Sequence, residues 1–95
     1  MPHFVYIMAS RPCGAIYIGS TANLRSRVEQ HRSGLPGSHT DRYNIRHLVW
    51  FEEHPDRASA FRRERQMKEW QRNWKVRLIV EVNPGWRDVT AEIPL

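Results

Sequence analysis

Apolar and polar positions divide the chain into two short β-type segments, a helix, a third strand and a second long helix. Residues 4–8 and 16–18 are apolar runs of strand length, and the connector between them, which contains Pro and Gly, predicts a hairpin. A register that sets Tyr6 opposite Tyr17 leaves four residues for the loop. Because side chains alternate along a strand, both tyrosines would then share one face. The other face would carry Val5, Ile7, Ile16 and Ile18.

A helix is predicted directly after the second strand. Residues 20–23 offer side chains that cap helix N-termini, and the helical pattern continues to about residue 32. Leu24 and Val28 form its apolar stripe, while Arg27 and His31 stand four residues apart and lie one above the other beside that stripe. Ser, Gly and Pro in the following residues end this helix.

The second half of the chain predicts one strand and one long helix. Residues 47–51 are almost continuously apolar, as in a buried strand. The long helix begins at Asp56, a typical cap, and runs to about residue 72. Residues 75–82 are ambiguous, because their alternation favours a strand and the preceding pattern favours a helix. Trp86 is expected to pack back on the core. The buried side of the long helix is predicted to consist of Ala60, Phe61, Met67 and Trp74.

Length and composition indicate one small folded domain over residues 1–95. Cys13 is the single cysteine, which excludes an intramolecular disulfide and suits a reducing compartment. The first residues do not resemble a signal peptide, and no apolar run approaches the roughly 20 residues of a membrane helix. We therefore expect a cytoplasmic protein that does not interact with membranes.

The charge balance favours an anionic partner. The formal net charge is +5, the sequence pI is about 10.1, and all basic residues except Lys68 and Lys75 are arginines. Arginine forks match phosphate oxygens, so nucleic acid is the partner that this bias favours, with an ordinary basic surface as the alternative. The candidate nucleic-acid contacts are Arg25, Arg32, Arg42, Arg46 and Lys68.

Glu64 is the most informative single position. It falls between Phe61 and Met67 on the helical wheel, within the apolar stripe, where an unpaired carboxylate is costly. One interpretation places it at the edge of the stripe, bonded to an arginine such as Arg27 or Arg62. The other makes it a metal-binding carboxylate at the floor of a cleft, which suits Mg²⁺ because this ion keeps most of its waters.

The remaining candidates gain weight from being found together. A free tyrosine titrates near pH 10, so Tyr6 or Tyr17 would act as a base only where cations favour the phenolate. The histidine spacing and the single cysteine imply no zinc site, and no Walker motif, dinucleotide fingerprint or nucleophile elbow is present. Two phenols, a guanidinium, an imidazole and a carboxylate would together position a phosphodiester, activate water and hold one divalent metal. This combination indicates cleavage of nucleic acid.

The candidates also form an ordered series along the chain. Phe4-Val5-Tyr6 is followed by Tyr17-Ile18-Gly19, then by the cap segment, Arg27 and His31, and far downstream by Glu64. Over about residues 3–88 this series resembles the GIY-YIG nuclease family, and in particular its small single-domain bacterial members. One departure is Phe4, which stands where the family's first motif begins with glycine. The segments similar to the small bacterial members specifically are Thr40-Asp41-Arg42-Tyr43 and Glu64-Arg65-Gln66-Met67-Lys68-Glu69-Trp70.

The resemblance implies a fold and a set of roles. The implied fold is α+β, a three-stranded antiparallel β-sheet flanked by α-helices, and it makes residues 75–82 helical. By the same resemblance Tyr17 would be the base, with Tyr6 in support, and Arg27 would stabilise charge on the phosphoryl oxygens. His31 would assist by hydrogen bonding or proton relay. Glu64 would hold one Mg²⁺ or Mn²⁺ ion. Asn83 would be a further lining residue.

Three functional hypotheses follow. The first is a metal-dependent endonuclease that hydrolyses phosphodiester bonds in DNA, in repair or recombination, with RNA as an open alternative substrate. The second is a non-catalytic nucleic-acid-binding module recruited by a larger protein partner that supplies specificity. The third is a structural or protein-interaction domain. Sequence leaves monomer and homodimer equally open.

Overall fold

The structure is a computed structural model that describes residues 2–33 and 44–94. Its three strands are β1 (His3–Ala9), β2 (Ile16–Thr21) and β3 (His47–His54), which form an antiparallel sheet in the order β2-β1-β3. The helices are α1 (Leu24–Ser33), α2 (Arg57–Glu69) and α3 (Arg72–Val82), with a 3₁₀ turn at Thr90–Glu92. This confirms the α+β class and the helical state of residues 75–82. No helix in the described ranges has the length and apolar character needed to cross a bilayer.

The hairpin register differs from the predicted one. Tyr6 pairs with Gly19 rather than with Tyr17, and the loop spans residues 10–15. Ser10 closes this longer loop, since its backbone N–H donates to the Ala15 carbonyl at 2.9 Å and its hydroxyl accepts from the Ala15 N–H at 3.0 Å. The shift is an even number of residues, so it leaves both tyrosines on the same face, as expected.

The sheet is the middle of three layers. One face packs against α1 and the C-terminal segment, and the other against α2 and α3. Strand alternation explains the division, because neighbouring residues of β1 point to opposite faces. The α1 face buries Phe4, Tyr6, Met8, Leu24, Val28, Leu48, Val89 and Ile93. The α2 face buries Val5, Ile7, Ile18, Val49, Ala60, Met67, Ile79 and Trp86.

The helices begin at the capping residues that the sequence indicates, but α2 ends early. Asn23 and Asp56 each accept a hydrogen bond from the backbone N–H three residues on, at 3.1 and 2.8 Å. The predicted continuation of α2 to residue 72 is wrong, because Trp70 adopts an extended backbone and a new helix begins at Arg72. No glycine or proline marks this break, so the sequence pattern runs through it.

The buried side of α2 is narrower than predicted. Ala60 and Met67 are fully buried, whereas Phe61 is 50% exposed and Trp74 is 51% exposed. Phe61 follows Ala60 by one residue, a rotation of about 100° that moves it off the stripe facing the sheet. Trp74 belongs to α3, whose phase is independent of α2 after the break.

The C-terminal segment folds back on the sheet, as expected for Trp86. Trp86 has a backbone φ of 54° and is buried on the α2 face. The side chain of Asn83 fixes this turn, donating to the carbonyls of Val49 at 3.0 Å and Arg87 at 2.8 Å and accepting from the Arg87 N–H. Asn83 thus stabilises the turn after α3, and its expected role in lining the active site remains a prediction.

Gly19 allows a close approach that no other residue would permit. An added Cβ would lie 2.6 Å from the Tyr6 hydroxyl oxygen, 2.8 Å from Tyr6 Cζ and 3.0 Å from Tyr17 Cε1. The two shortest distances, both to Tyr6, are shorter than real Cβ contacts. Because the Tyr6 ring is buried in the sheet and is not a flexible chain end, the phenol would have to move. The missing side chain of Gly19 is therefore what lets the Tyr6 ring lie over β2.

We predict that Gly19→Ala destabilises the fold by about 1–3 kcal/mol, the usual cost of overpacking, because its methyl group displaces the Tyr6 phenol. Gly85→Ala is the matched control, since a Cβ there meets nothing closer than Arg87 Cγ at 3.7 Å. Urea denaturation of the two variants provides the measurement. Equal stability of both variants would contradict the role given to Gly19.

Candidate active site

The Tyr6 phenol and the His31 imidazole form a buried hydrogen bond between β1 and α1. The Tyr6 hydroxyl oxygen lies 3.0 Å from His31 Nε2, and the two residues are 1% and 5% exposed. Burial raises the pKa of Tyr6 well above its usual value, an effect that the nearby Tyr17 and Glu64 strengthen and Arg27 opposes. Burial, together with Arg27, lowers the pKa of His31. At neutral pH the bond therefore joins a protonated phenol to a neutral imidazole, and the tautomer of His31 determines which group donates.

Tyr17 completes a cluster of three rings on the α1 face. Its ring centroid lies 6.3 Å from that of Tyr6 and 5.3 Å from that of His31. Tyr17 is only partly buried and stands on the edge strand β2, whereas Tyr6 stands on the central strand. Of the two phenols, Tyr17 is thus the one better placed to meet a solute, and Tyr6 is placed to hold the cluster together.

Glu64 approaches β2 from the opposite face of the sheet. Its Oε1 accepts from the Ser20 hydroxyl at 2.5 Å, and its Oε2 accepts from Lys68 Nζ at 2.6 Å. The side chain is 12% exposed, so these two partners offset the cost of removing its charge from water. Its hydrogen-bonding partners are Ser20 and Lys68, where the sequence suggested Arg27 or Arg62.

Because β2 is an edge strand, side chains from the two faces of the sheet can approach each other at its edge. Along β2, Tyr17 points to the α1 face and Ser20 to the α2 face, in the alternation of a strand. Within residues 2–33 and 44–94 no strand lies beyond β2, so side chains from α2 reach around the edge. Lys68 shows this directly, since its Nζ pairs with Glu64 and also lies 6.0 Å from the Tyr17 ring centroid.

An open cleft of about 500 Å³ lies along this edge. Arg27, which is exposed on α1, and Glu64 on α2 line it from opposite sides of β2. Among the lining residues in the described part of the chain, Glu64 is the only acidic one. The structure therefore brings the three rings into one cluster and sets Arg27 and Glu64 in an adjoining cleft. The other lining residues are His3, Ser20, Thr21, Ala22, Asn23, Arg57 and Phe61.

The residues predicted to contact nucleic acid do not form one surface around the cleft. Arg25 is exposed on α1 and donates to a carbonyl of the C-terminal segment at 3.3 Å. Arg32 forms an ion pair with a carboxylate of the same segment, and Arg46 donates to two carbonyls at the end of α1. Lys68 pairs with the carboxylate in the cleft. Arg42 lies outside the described residues. Arg32 and Arg46 thus make contacts that stabilise the fold.

Of the nine described residues that line the cleft, the sequence assigns only Arg27 and Glu64 to the site, and Ser20 and Phe61 are the most important of the others. Ser20 was interpreted only as part of a helix cap, although strand alternation would have turned it away from Tyr17 and towards the second helix. Phe61 was assigned to the core. Its position three residues before Glu64 places it on the same side of the helix, which was the available signal.

The residues of the cleft suit a divalent cation of the magnesium type. The described residues contain no group of three or more His, Cys, Asp or Glu side chains that could hold a metal, so a closed zinc-type cage is absent from that part of the chain. Mg²⁺ instead takes one or two carboxylates and completes its shell with water and substrate phosphate. Glu64, with the Ser20 hydroxyl beside it, provides such a donor set.

Known proteins similar to this chain in sequence and in structure belong to related groups. Residues 2–88 match the model of the GIY-YIG catalytic domain. UPF0213 proteins of Staphylococcus aureus strains Mu3 and N315 are each 35% identical to this chain over 79 residues, which is 83% of this chain and 95% of theirs. The solution NMR structure of a UPF0213 protein from Bacillus halodurans is 28% identical, with a TM-score of 0.58 over 95% of both chains.

The buried His31 makes stability depend on pH. Its pKa is lowered in the folded state, so below about pH 6.5 the unfolded chain binds the proton first. We expect the stability that neutral His31 provides to be present above that pH and to be lost as the pH falls. Melting temperatures of the native chain and of His31→Gln, measured from pH 5 to 8, should show a steeper acid-side decline in the native chain. Identical slopes would contradict a buried neutral imidazole.

Proposed function

Since the chain belongs to the GIY-YIG catalytic domain family, a nuclease superfamily, we propose that it is a metal-dependent endonuclease that hydrolyses phosphodiester bonds in DNA. The observation that carries this proposal is the cleft at the β2 edge. There Arg27 and Glu64 flank the strand that bears Tyr17. The cleft thus offers a cation and a carboxylate, and the Tyr17 phenol stands on the same strand beside it, a combination that suits phosphate binding and activation of water.

In the proposed reaction Tyr17 acts as the phenolate, and its oxygen accepts the proton from the attacking water. Lys68 Nζ, 6.0 Å from the Tyr17 ring centroid, supplies positive charge beside it, and Arg27 provides a second cation in the adjoining cleft. Tyr6 is unsuited to this task, because burial raises its pKa and its hydroxyl bonds His31. Tyr6 and His31 instead hold the Tyr17 ring in position on the α1 face.

Arg27 would stabilise the charge that develops on the phosphoryl oxygens, since an exposed guanidinium in the cleft is free to meet two of them at once. Glu64, with Ser20, would hold one Mg²⁺ or Mn²⁺ ion. When bound there, the ion supplies Lewis-acid stabilisation of the leaving oxygen during in-line displacement. Ser20 fixes the carboxylate orientation through its 2.5 Å hydrogen bond.

DNA is the proposed substrate because GIY-YIG nucleases act on DNA and because the arginine-rich charge of the chain favours a polyanion. Repair or recombination is the process that we propose, in the cytoplasm, with a protein partner as a source of specificity. The process is inferred from the family, and the compartment from the single cysteine.

We predict that Glu64→Gln lowers Mg²⁺-dependent cleavage of labelled DNA at least about 100-fold, the loss seen when other groups that stabilise a transition state are removed. The glutamine side chain has the shape of glutamate but carries no negative charge to neutralise the Mg²⁺ ion. Glu69→Gln makes the same change at an exposed position on the same helix and should cleave normally. Full cleavage by Glu64→Gln would contradict the proposal. Salt-dependent binding without products in the native chain would instead favour a non-catalytic binding module.

We predict that Lys68→Met increases affinity for Mn²⁺, because Lys68 Nζ occupies one oxygen of the carboxylate that would bind the ion. The expected gain is about 2- to 5-fold, since a partly exposed ion pair is worth up to about 1 kcal/mol. Titration followed by electron paramagnetic resonance measures it without turnover. Lys75→Met removes the only other lysine and the same charge. An equal gain in both variants would attribute the effect to net charge alone.

A further inference from the structure

Phe61 is an exposed aromatic ring at the mouth of the catalytic cleft. Its side chain is 50% exposed, and it lines the same cleft as Arg27 and Glu64. It also borders a neighbouring cavity of about 320 Å³, whose other lining residues are Arg57 and Ala58. A half-exposed phenylalanine is not unusual by itself. Its position between the cleft and a second cavity is the feature that needs an explanation.

Arginines flank the ring on both sides along α2. Arg57 and Arg65 stand four residues before and after Phe61, and all three are exposed on one face of the helix. The Arg65 guanidinium carbon lies 5.8 Å from the Phe61 ring centroid, and Arg57 lines both cavities. Proteins that bind single-stranded nucleic acid use the same arrangement of aromatic and basic side chains. In these proteins the bases stack on the rings and the arginines contact the backbone.

We propose that Phe61 is a stacking platform for an unpaired nucleobase beside the scissile phosphate, so that the preferred substrate is single-stranded or locally unpaired nucleic acid. This inference rests on the proposed function, because it takes the Glu64 cleft as the place where the phosphate binds. It adds a base-binding subsite and a substrate class.

The spacing on α2 fits one nucleotide. Residues three apart on a helix have Cβ atoms about 5–6 Å apart, so a base on Phe61 is next to a phosphate between Arg27 and Glu64. In a continuous duplex each base face is covered by its neighbour, and extruding a base costs a few kcal/mol. An unpaired strand presents its bases to the ring without that cost.

Charge favours a nucleic acid over an apolar protein segment as the occupant. Arg27, Arg57 and Arg65 are all cationic. Of the described residues that line the cleft, Glu64 is the only acid, and Lys68 already pairs with it. An apolar protein segment that buried Phe61 would place these three guanidinium groups against a surface that has no negative charge to pair with them. A strand supplies both a base for the ring and phosphates for the arginines.

The test measures binding of fluorescently labelled single-stranded and duplex oligonucleotides in EDTA, so that no cleavage occurs. We expect the native chain to bind the single strand more tightly. Phe61→Ala should weaken that binding about 5- to 150-fold, as expected from 1–3 kcal/mol per stacked base, and should leave duplex binding unchanged. Phe61→Trp should retain single-strand binding, while Phe61→Leu, which keeps apolar volume without a ring face, should not.

Trp74→Ala is the matched control, because Trp74 is 51% exposed yet lines a separate cavity with Trp70, Arg77 and Glu81. Its affinity for the single strand should equal that of the native chain. An oligonucleotide with abasic sites should bind the native chain and Phe61→Ala equally. Thermal melts verify that the variants fold, as expected for exposed positions.

Cleavage with Mg²⁺ or Mn²⁺ separates this inference from the proposed function. Glu64-dependent cutting of duplex as fast as of single strands would support the nuclease and overturn the stacking subsite. Unchanged single-strand binding in Phe61→Ala, or full retention in Phe61→Leu, would also overturn it. Ring-dependent binding with no cleavage by any preparation would overturn the nuclease and leave the base subsite standing.

Discussion

The packing of the Tyr6 phenol against the bare backbone of Gly19 is the constraint on which the candidate site depends. It places the Tyr6 hydroxyl within hydrogen-bonding distance of His31 and so ties the central strand to α1. Because the phenol and the imidazole satisfy each other, both can be buried without an unpaired polar atom. Tyr17 then packs against both rings at the open edge of the sheet. The cluster therefore supports the ring of Tyr17, the side chain that we propose as the base.

The site is built from both faces of the sheet, and the edge strand makes this possible. A carboxylate close to two phenols in one buried layer would make deprotonation of those phenols unfavourable. Here Glu64 lies across β2 from the rings, and Arg27 and Lys68 stand at the edge that both layers share. The sheet itself thus separates the group that would bind a cation from the groups that would handle the proton.

Sequence predicted the layers well because strand alternation survives a register error of two residues. Asp56 was identified as a cap from local chemistry alone, and Tyr6, Tyr17, Arg27, His31 and Glu64 were recognised as one ordered series. The end of α2 at Glu69 carries no local signal, and the apolar character of Phe61 could not reveal which way it points. The Ser20 and Lys68 contacts of Glu64 depend on how α2 crosses β2, which only the tertiary packing determines.

Arg46 positions the imidazole from outside α1. Its guanidinium donates to the carbonyls of His31 at 2.9 Å and Arg32 at 3.1 Å, so the end of α1 is held directly by the residues that lead into β3. The backbone that carries His31 therefore depends on a contact between two elements and not on its own helix alone. Loss of the Arg46 guanidinium would thus act on the imidazole, and through it on the Tyr6 hydroxyl, without changing either side chain.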